Sequence, residues 1–294
     1  MNDSAIYHFA GKVKDLSRRQ GGQRIALLLG GAVFGGGLFL AVKNEPQLLQ
    51  NLRWGPAVLV LVLGVPLTML ANAFEFKLAG ASMQRSIPFF QALKISVVAS
   101  AANMLPLPGG LATRVIALKS YEVSFKDGIA VNFLFAFVWV AIAFLFAGFC
   151  LLSFDIWWKW VFLVIGAAAG GGSLIWARSR DISLYIFGLL SLQRLFMVFL
   201  GAFRIWWCLL ALGIGAGYWQ AAIFVVGGVI GSAVSIIPAG LGVREGISAG
   251  LAPIVGLSVA SGFLAVALNR MLGLLILAPG ALSIGLWQRK EKSI

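Results

Sequence analysis

Two arginines that follow breaks in long apolar runs are the residues of this chain best suited to chemistry. Arg114 comes shortly after the Pro106–Gly110 break, and Arg244 comes just after Gly242. A helix that begins after such a break exposes unpaired N–H groups and about half a positive charge. A guanidinium in its first turns adds planar donors that suit bidentate phosphate binding. The pattern therefore predicts an anion site; an arginine that caps its own hairpin or extends to the lipid head groups is the alternative.

Three more polar residues lie close to these arginines in the sequence. Glu245 adjoins Arg244, and Arg270 lies within the last apolar run. We expect Glu245 and Arg270 either to form an internal ion pair or to act as a switch. In the switch, Glu245 couples to a proton or cation and competes for an arginine when no anion is bound. Asn103, just before the first break, is expected to bind freed backbone groups or substrate.

Other charged residues interrupt the apolar runs at single positions. Glu75 has Lys77 close by, which favours a pair that extends to the membrane surface. Arg194 lies near the start of its run and is expected at the membrane interface. Arg204 lies deeper in the same run, so it is a candidate for lining a substrate cavity. An ionisable residue inside a membrane is costly, and this favours a functional role for the deeper ones.

The composition is that of a protein built in a membrane. Of 294 residues, 60% are hydrophobic and only 11% are charged, whereas soluble domains carry roughly 25% charged residues. A membrane-spanning helix needs about 20 apolar residues, and long apolar runs fill most of this chain. These runs cover 25–42, 55–76, 88–105, 110–121, 127–153, 157–177, 192–214, 219–237, 244–257 and 260–287.

Four of these runs are joined in pairs by helix-breaking residues rather than by polar loops. Proline removes a backbone donor and glycine weakens a helix, and irregular backbone at membrane depth must lie inside protein or beside water. We therefore expect two re-entrant helical hairpins and about six full spans in an all-α polytopic membrane protein. The predicted breaks are Pro106, Pro108, Gly109 and Gly110 in the first hairpin, and Pro238, Gly240 and Gly242 in the second.

Weak internal similarity suggests that the chain repeats. Gly31–Gly37 resembles Gly166–Gly172 at an offset of 135, and the residues from Pro108 to Arg114 resemble those from Pro238 to Arg244 at 130. Each half would hold two spans, a hairpin and a third span, so the second half enters from the opposite side. The sequence predicts one transmembrane domain, 1–294, with inverted repeats at about 24–153 and 157–287, as in many secondary transporters.

The charges predict the orientation. The net charge is +13, from 23 Lys and Arg against 10 Asp and Glu, and the positive-inside rule places both termini in the cytoplasm of a bacterial inner membrane. Anionic lipid is the expected counter-charge, so nucleic acid is not an expected partner. The expected cytoplasmic positives are Lys12, Lys14, Arg18, Arg19, Arg24, Lys77, Arg85, Lys119, Lys126, Arg178, Arg180, Arg289, Lys290 and Lys292; Lys43, Arg53 and Lys159 fall opposite.

Residue types needed for most enzymes are scarce. Cys150 and Cys208 lie in apolar runs, and the single histidine is His8. This inventory favours neither a metal cluster nor histidine-based catalysis, and we expect no cofactor, no metal and no enzymatic activity.

The two breaks resemble the signatures of a known family. Asn103-x-x-Pro106-x-Pro108-Gly109-Gly110 leading to Arg114, and Pro238 to Gly246 followed by Asn269-Arg270, resemble the lysylphosphatidylglycerol synthase transmembrane-domain family, also called flippase-like integral membrane proteins. The family often has a glutamate directly after the first turn, where this chain reads Leu111-Ala112-Thr113. The resemblance implies a lipid-translocating fold without the soluble synthase domain.

These observations predict a flippase for a phospholipid or a polyprenyl-phosphate-type lipid. The phosphate would be held by Arg114 and Arg244 where the hairpin tips meet, with Glu245 and Arg270 as a switchable pair. Two alternatives stay open: a secondary transporter of a small organic anion, and a non-transporting partner of a lipid-modifying enzyme. Expected partners are anionic phospholipid or polyprenyl phosphate, with a second copy of the chain or a lipid-modifying enzyme as further possibilities.

Overall fold

The protein folds as a bundle of helices. The computed structural model describes residues 20–104, 109–233 and 242–290, and every regular element within them is a helix. The α-helices are α1 (Gln20–Asn44), α2 (Gln47–Gln50), α3 (Trp54–Leu59), α4 (Val65–Ser82), α5 (Phe89–Met104), α6 (Gly109–Lys119), α7 (Phe125–Cys150), α8 (Trp158–Arg178), α9 (Leu184–Ala211), α10 (Tyr218–Ala222), α11 (Phe224–Ala233), α12 (Val243–Leu251) and α13 (Val259–Lys290). A π-helix, Val60–Gly64, joins α3 to α4, and 3₁₀ turns lie at Leu151–Ser153 and Ala252–Val255.

Five helical segments of the described chain are long and apolar enough to cross a membrane. They are Trp54–Ser82, Phe125–Ser153, Trp158–Arg178, Leu184–Ala211 and Val259–Ile284. The sequence prediction of an all-helical, polytopic membrane protein is therefore confirmed. The remaining predicted span, 25–42, falls within α1, whose side chains are described only from residue 30.

Each of the two segments predicted as a hairpin contains two shorter helices. The first pair, α5 and α6, has 16 and 11 residues, and the second pair, α11 and α12, has 10 and 9. At 1.5 Å per residue the longest of them reaches only about 24 Å, which is short of a bilayer core. The members of each pair pack against each other. Pro106, Pro108, Pro238 and Gly240 lie outside the described residues.

Local sequence explains where several helices begin. Ser124 accepts a hydrogen bond from the Asp127 amide and caps α7, and Ser183 caps α9 through the amides of Tyr185 and Ile186. Pro66, near the start of α4, lacks the N–H that would bind a carbonyl one turn back. The π-helix lies in that preceding turn, where such an irregularity is easily accommodated.

Three long helices, α4, α9 and α13, carry the buried charged residues Glu75, Arg194 and Arg270. α9 packs against α4, α7 and α13, and α13 also packs against α5 and α12. This arrangement packs the two pairs of shorter helices, called here the first broken pair (α5 and α6) and the second broken pair (α11 and α12), against long helices that carry buried charged residues.

Candidate functional site

The first cluster of charged residues is centred on Glu75. The residue is 2% exposed, and its carboxylate accepts hydrogen bonds from two arginines. Arg194 donates from Nη1 to Oε2 and from Nη2 to Oε1, both at 2.8 Å. Arg114 donates from Nη1 to Oε1 at 2.7 Å. A carboxylate of α4 therefore joins a guanidinium of α6 to one of α9.

The two arginines of this cluster have different surroundings. The Arg194 side chain is 6% exposed, and its guanidinium lies 5.5 Å from the centroid of the Trp139 ring, within the range of a cation–π contact. The Arg114 side chain keeps 19% of its surface exposed. Arg114 is therefore the more accessible cation, while Arg194 is held between a carboxylate and an aromatic face.

One expectation about this cluster is wrong: the Glu75 side chain does not extend to the surface with Lys77, because it is buried. Arg194, expected at the membrane interface, is enclosed by protein. The physical reason is mutual compensation, since a charged group can be buried when it is paired and hydrogen-bonded. The partners come from helices distant in sequence, so neighbouring residues gave no indication of them.

Glu75 continues a polar stripe along α4. Thr68, Asn72 and Glu75 are spaced by four and three residues, which puts them on one helical face. Asn72 Nδ2 donates to Ser100 Oγ of α5 at 3.5 Å. Gln193 Nε2 of α9 donates to the Ala71 carbonyl oxygen at 3.0 Å. This stripe is the signal by which the sequence could have indicated the site within an apolar helix.

Arg204 lies at the other end of the stripe. Its Nη1 donates to Thr68 Oγ1 at 3.1 Å, and Thr68 Oγ1 in turn donates to the Gly64 carbonyl oxygen at 2.7 Å. A Cβ atom at position 64 would lie 2.7 Å from Arg204 Cγ, so the glycine makes room for this side chain. The sequence did not determine which side of its helix Arg204 faces; in the structure it faces α4 and the π-helix.

The second cluster is centred on Glu245 in the first turn of α12. This residue is fully buried at 0% exposure. Its Oε1 lies 2.7 Å from Arg270 Nε, and its Oε2 accepts hydrogen bonds from Arg270 Nη2 at 3.3 Å and from the Gly242 amide at 3.0 Å. Glu245 and Arg270, expected to act either as an internal ion pair or as a switch, are in contact here. The same carboxylate caps the helix on which it lies.

Arg244 completes the second cluster. It is the second residue of α12 and interacts electrostatically with both Glu245 and Arg270. On the other member of the broken pair, a Cβ at Gly231 would overlap Arg244 Cγ. The glycine of α11 therefore lets the arginine pack closely against the neighbouring helix.

The predicted site residues separate into these groups. Arg114 lies in the first cluster, and Arg244, Glu245 and Arg270 form the second. The tips where Arg114 and Arg244 would share a phosphate, 105–108 and 234–241, lie outside the described residues, as does the side chain of Asn103. Gly110 is buried near the start of α6, and Gly242 has a φ of +78° directly before α12. Sequence reasoning missed Glu75, Arg194, Thr68, Asn72 and Gln193 as members of the site.

Both clusters combine the same residue types. Each brings one carboxylate together with two guanidiniums, and in the first cluster Glu75 faces two cations, which leaves one excess positive charge in a largely buried place. Buried charges are stable when they are compensated, so this balance favours an anion. Within the described ranges, no group of three or more His, Cys, Asp or Glu side chains is arranged to hold a metal ion.

No family model matches the chain, and no curated protein matches it either.

Proposed function

We propose that the protein is a lipid flippase that moves a phospholipid or polyprenyl-phosphate-type lipid between the leaflets of a bacterial inner membrane. The single observation that carries the proposal is the excess positive charge of the first cluster, in which two arginines share the one carboxylate of Glu75. A phosphate would supply the negative charge that this cluster lacks, and the second cluster brings together the same residue types. Guanidinium groups suit it because they offer paired donors in one plane.

The glutamates give each cluster a way to alternate. Glu75 binds Arg114 and Arg194, and Glu245 binds Arg270. An arriving phosphate would compete with the carboxylate for the same donors, and in the first cluster Arg114 would move before Arg194 because its side chain is more exposed. Exchange between two sets of partners gives the two packings of similar free energy that alternating access requires.

The proposed architecture is two inverted repeats with re-entrant hairpins. In the orientation favoured by the charges, with both termini cytoplasmic, α5 and α6 enter from the cytoplasm and α11 and α12 from outside. The short lengths of these helices and their packing in pairs support this arrangement. The arginines of the two hairpins would then serve opposite leaflets.

The family resemblance of the two broken segments supports the same proposal. At the offset of 130 between the two repeats, Arg114 corresponds to Arg244, and the position that corresponds to Glu245 is 115. This chain has a valine there instead of a glutamate. Glu75 would supply the carboxylate of the first cluster from a different helix. The pairing of Glu75 with Arg114 supports this substitution of one acid for another.

A leaflet-accessibility assay in proteoliposomes tests the proposal. Short-chain fluorescent phospholipids and a fluorescent polyprenyl phosphate are the probes, and Arg114→Ala and Arg244→Ala are the variants. Arg85→Ala is the matched control, because Arg85 pairs with Glu122 on the surface. Transfer that needs Arg114 and Arg244 but not Arg85 is the expected result. Normal transfer by both variants would contradict the phosphate site.

A transporter of small organic anions is the second candidate, and the enclosure of the clusters favours it. The Arg194 and Arg270 side chains are 6% and 7% exposed, which leaves little access for a bulky head group. Uptake of a soluble organophosphate by proteoliposomes that transfer no lipid would favour this candidate over the flippase.

A further inference from the structure

Arg204 differs from the other arginines inside the bundle. Arg114, Arg194 and Arg270 each contact a glutamate, whereas no carboxylate of the described residues contacts Arg204. Its one hydrogen bond to a side chain goes to the neutral hydroxyl of Thr68. Its Nε, like those of Arg114 and Arg194, is buried with no hydrogen-bond partner in the described structure. A guanidinium in a spanning helix without a counter-charge is costly.

The surroundings of Arg204 are shaped for this side chain. Gly64 leaves out the Cβ that would overlap Arg204 Cγ, and it ends the π-helix, Val60–Gly64. Thr68 holds its hydroxyl hydrogen toward the Gly64 carbonyl, so its oxygen faces the guanidinium as an acceptor. Irregular π turns within α-helices are frequent at functional sites. Gly64 and Thr68 thus hold in place a cation that has no contacting carboxylate.

A polar path connects Arg204 to the Glu75 cluster. Thr68 and Glu75 are seven residues apart on one face of α4, which is about 10 Å at 1.5 Å per residue. Between them lie Asn72 with Ser100, and Gln193, whose Oε1 is buried without a hydrogen-bond partner in the described structure. Ser96 Oγ, one turn from Ser100, is also buried without such a partner. These polar groups would offer hydrogen bonds to a charged head group as it moves along α4.

We propose that Arg204 and Thr68 form a second phosphate-binding station, about 10 Å along α4 from the Glu75 cluster. The inference rests on the proposed function and extends it, because the transported phosphate supplies the counter-charge that Arg204 lacks. The distance prevents one phosphate from binding both stations at once. The head group therefore moves from a cluster that contains a competing carboxylate to a station that contains none.

Thermal unfolding of the purified full-length protein in detergent tests the station. Arg204→Gln removes an uncompensated cation, so without added phosphate its Tm should rise, by about 2–4 °C if ~1 kcal/mol is regained. Arg194→Gln, ten residues away on the same helix, removes a paired cation and should lower the Tm. Arg204→Lys keeps the charge and should match the wild-type Tm. If Arg204→Gln lowers the Tm as Arg194→Gln does, Arg204 is a structural residue and the proposal is wrong.

A titration with phosphate separates the station from the first cluster. Inorganic phosphate and a short-chain phosphatidylglycerol are added in turn to Arg114→Gln protein, in which the first cluster has lost a donor. The Tm should still rise, and Arg114→Gln/Arg204→Gln should lose at least three quarters of that rise. An equal rise in both variants would overturn the proposal. A rise with both probes means that the station binds phosphate alone, and a rise with the lipid only means that it requires the acyl chains.

The same variants distinguish failure of the station from failure of the flippase. Lipid transfer by Arg204→Gln should fall at least tenfold if the station lies on the path. If wild-type protein transfers no lipid but binds phosphate through Arg204, the station stands and the flippase proposal fails. If wild-type protein transfers lipid and Arg204→Gln transfers it equally fast, the flippase stands and the station is wrong.

Discussion

Glu75 and Arg194 are 119 positions apart in the sequence, and their side chains form two hydrogen bonds of 2.8 Å. This bidentate pair joins α4 to α9, and Arg114 binds the same carboxylate from α6. The arrangement ties a short helix of the first broken pair to two long helices. It also keeps two cations together that would repel each other without the carboxylate, and the first prediction follows from this.

Glu75→Gln should destabilise the protein and at the same time strengthen anion binding. The substitution leaves Arg114 and Arg194 facing each other without a carboxylate, and breaking a buried ion pair costs about 3–5 kcal/mol. Added inorganic phosphate should restore part of the loss, because it replaces the missing negative charge. The measurement is the Tm at increasing phosphate concentration. Glu122→Gln, at an exposed pair, is the control; a phosphate response equal to that of the control would contradict the competition.

Arg270→Leu should destabilise the fold more than loss of any surface arginine. It leaves the fully buried carboxylate of Glu245 with weaker compensation, and removing one partner of such a pair costs about 3–5 kcal/mol. The double variant Arg270→Leu/Glu245→Leu should recover a large part of this loss, since no isolated charge remains. Unfolding free energies in a double-mutant cycle check the coupling. Additive effects of the two substitutions would show that the pair does not stabilise the protein.

Gly242→Ala should weaken the start of α12. Gly242 has a φ of +78°, and an added Cβ would lie 2.7 Å from Val33 Cγ1 and 3.0 Å from the Phe34 amide nitrogen of α1. Strain of this kind costs about 1–3 kcal/mol. The free energy of unfolding is the measurement. Gly246→Ala is the control, because it lies within the same helix and a Cβ there meets nothing within 4 Å.

Gly64→Ala should impair lipid transfer more than it impairs folding. The added Cβ would lie 2.7 Å from Arg204 Cγ and 3.1 Å from its Cδ, so the side chain must rotate and the guanidinium should leave Thr68. Transfer should fall about as far as in Arg204→Gln. Gly171→Ala, where a Cβ meets nothing within 4 Å, should leave both transfer and Tm unchanged. A large drop in the Tm of Gly64→Ala would assign the glycine to helix packing instead.

Part of the candidate site could be predicted because it depends on neighbours in the chain. Glu245 lies three residues after Gly242, and the carboxylate caps the helix that begins there. Arg270 was identified because a charge inside an apolar run needs a partner, and Glu245 was a suitable one. The partners within the first cluster could not be assigned in this way, because Glu75, Arg114 and Arg194 belong to three separate apolar runs.

The sequence by itself determined that the chain is a helical, polytopic membrane protein, that its apolar runs break near 106–110 and 238–242, and that charges interrupt the runs. Hydrophobicity and helix breaking are local properties, so they can be read along one segment. Only the tertiary structure decided that Glu75 is buried between two arginines and that Arg204 faces Thr68. Those contacts depend on how α4, α6 and α9 are rotated against one another, and packing over the whole bundle sets that rotation.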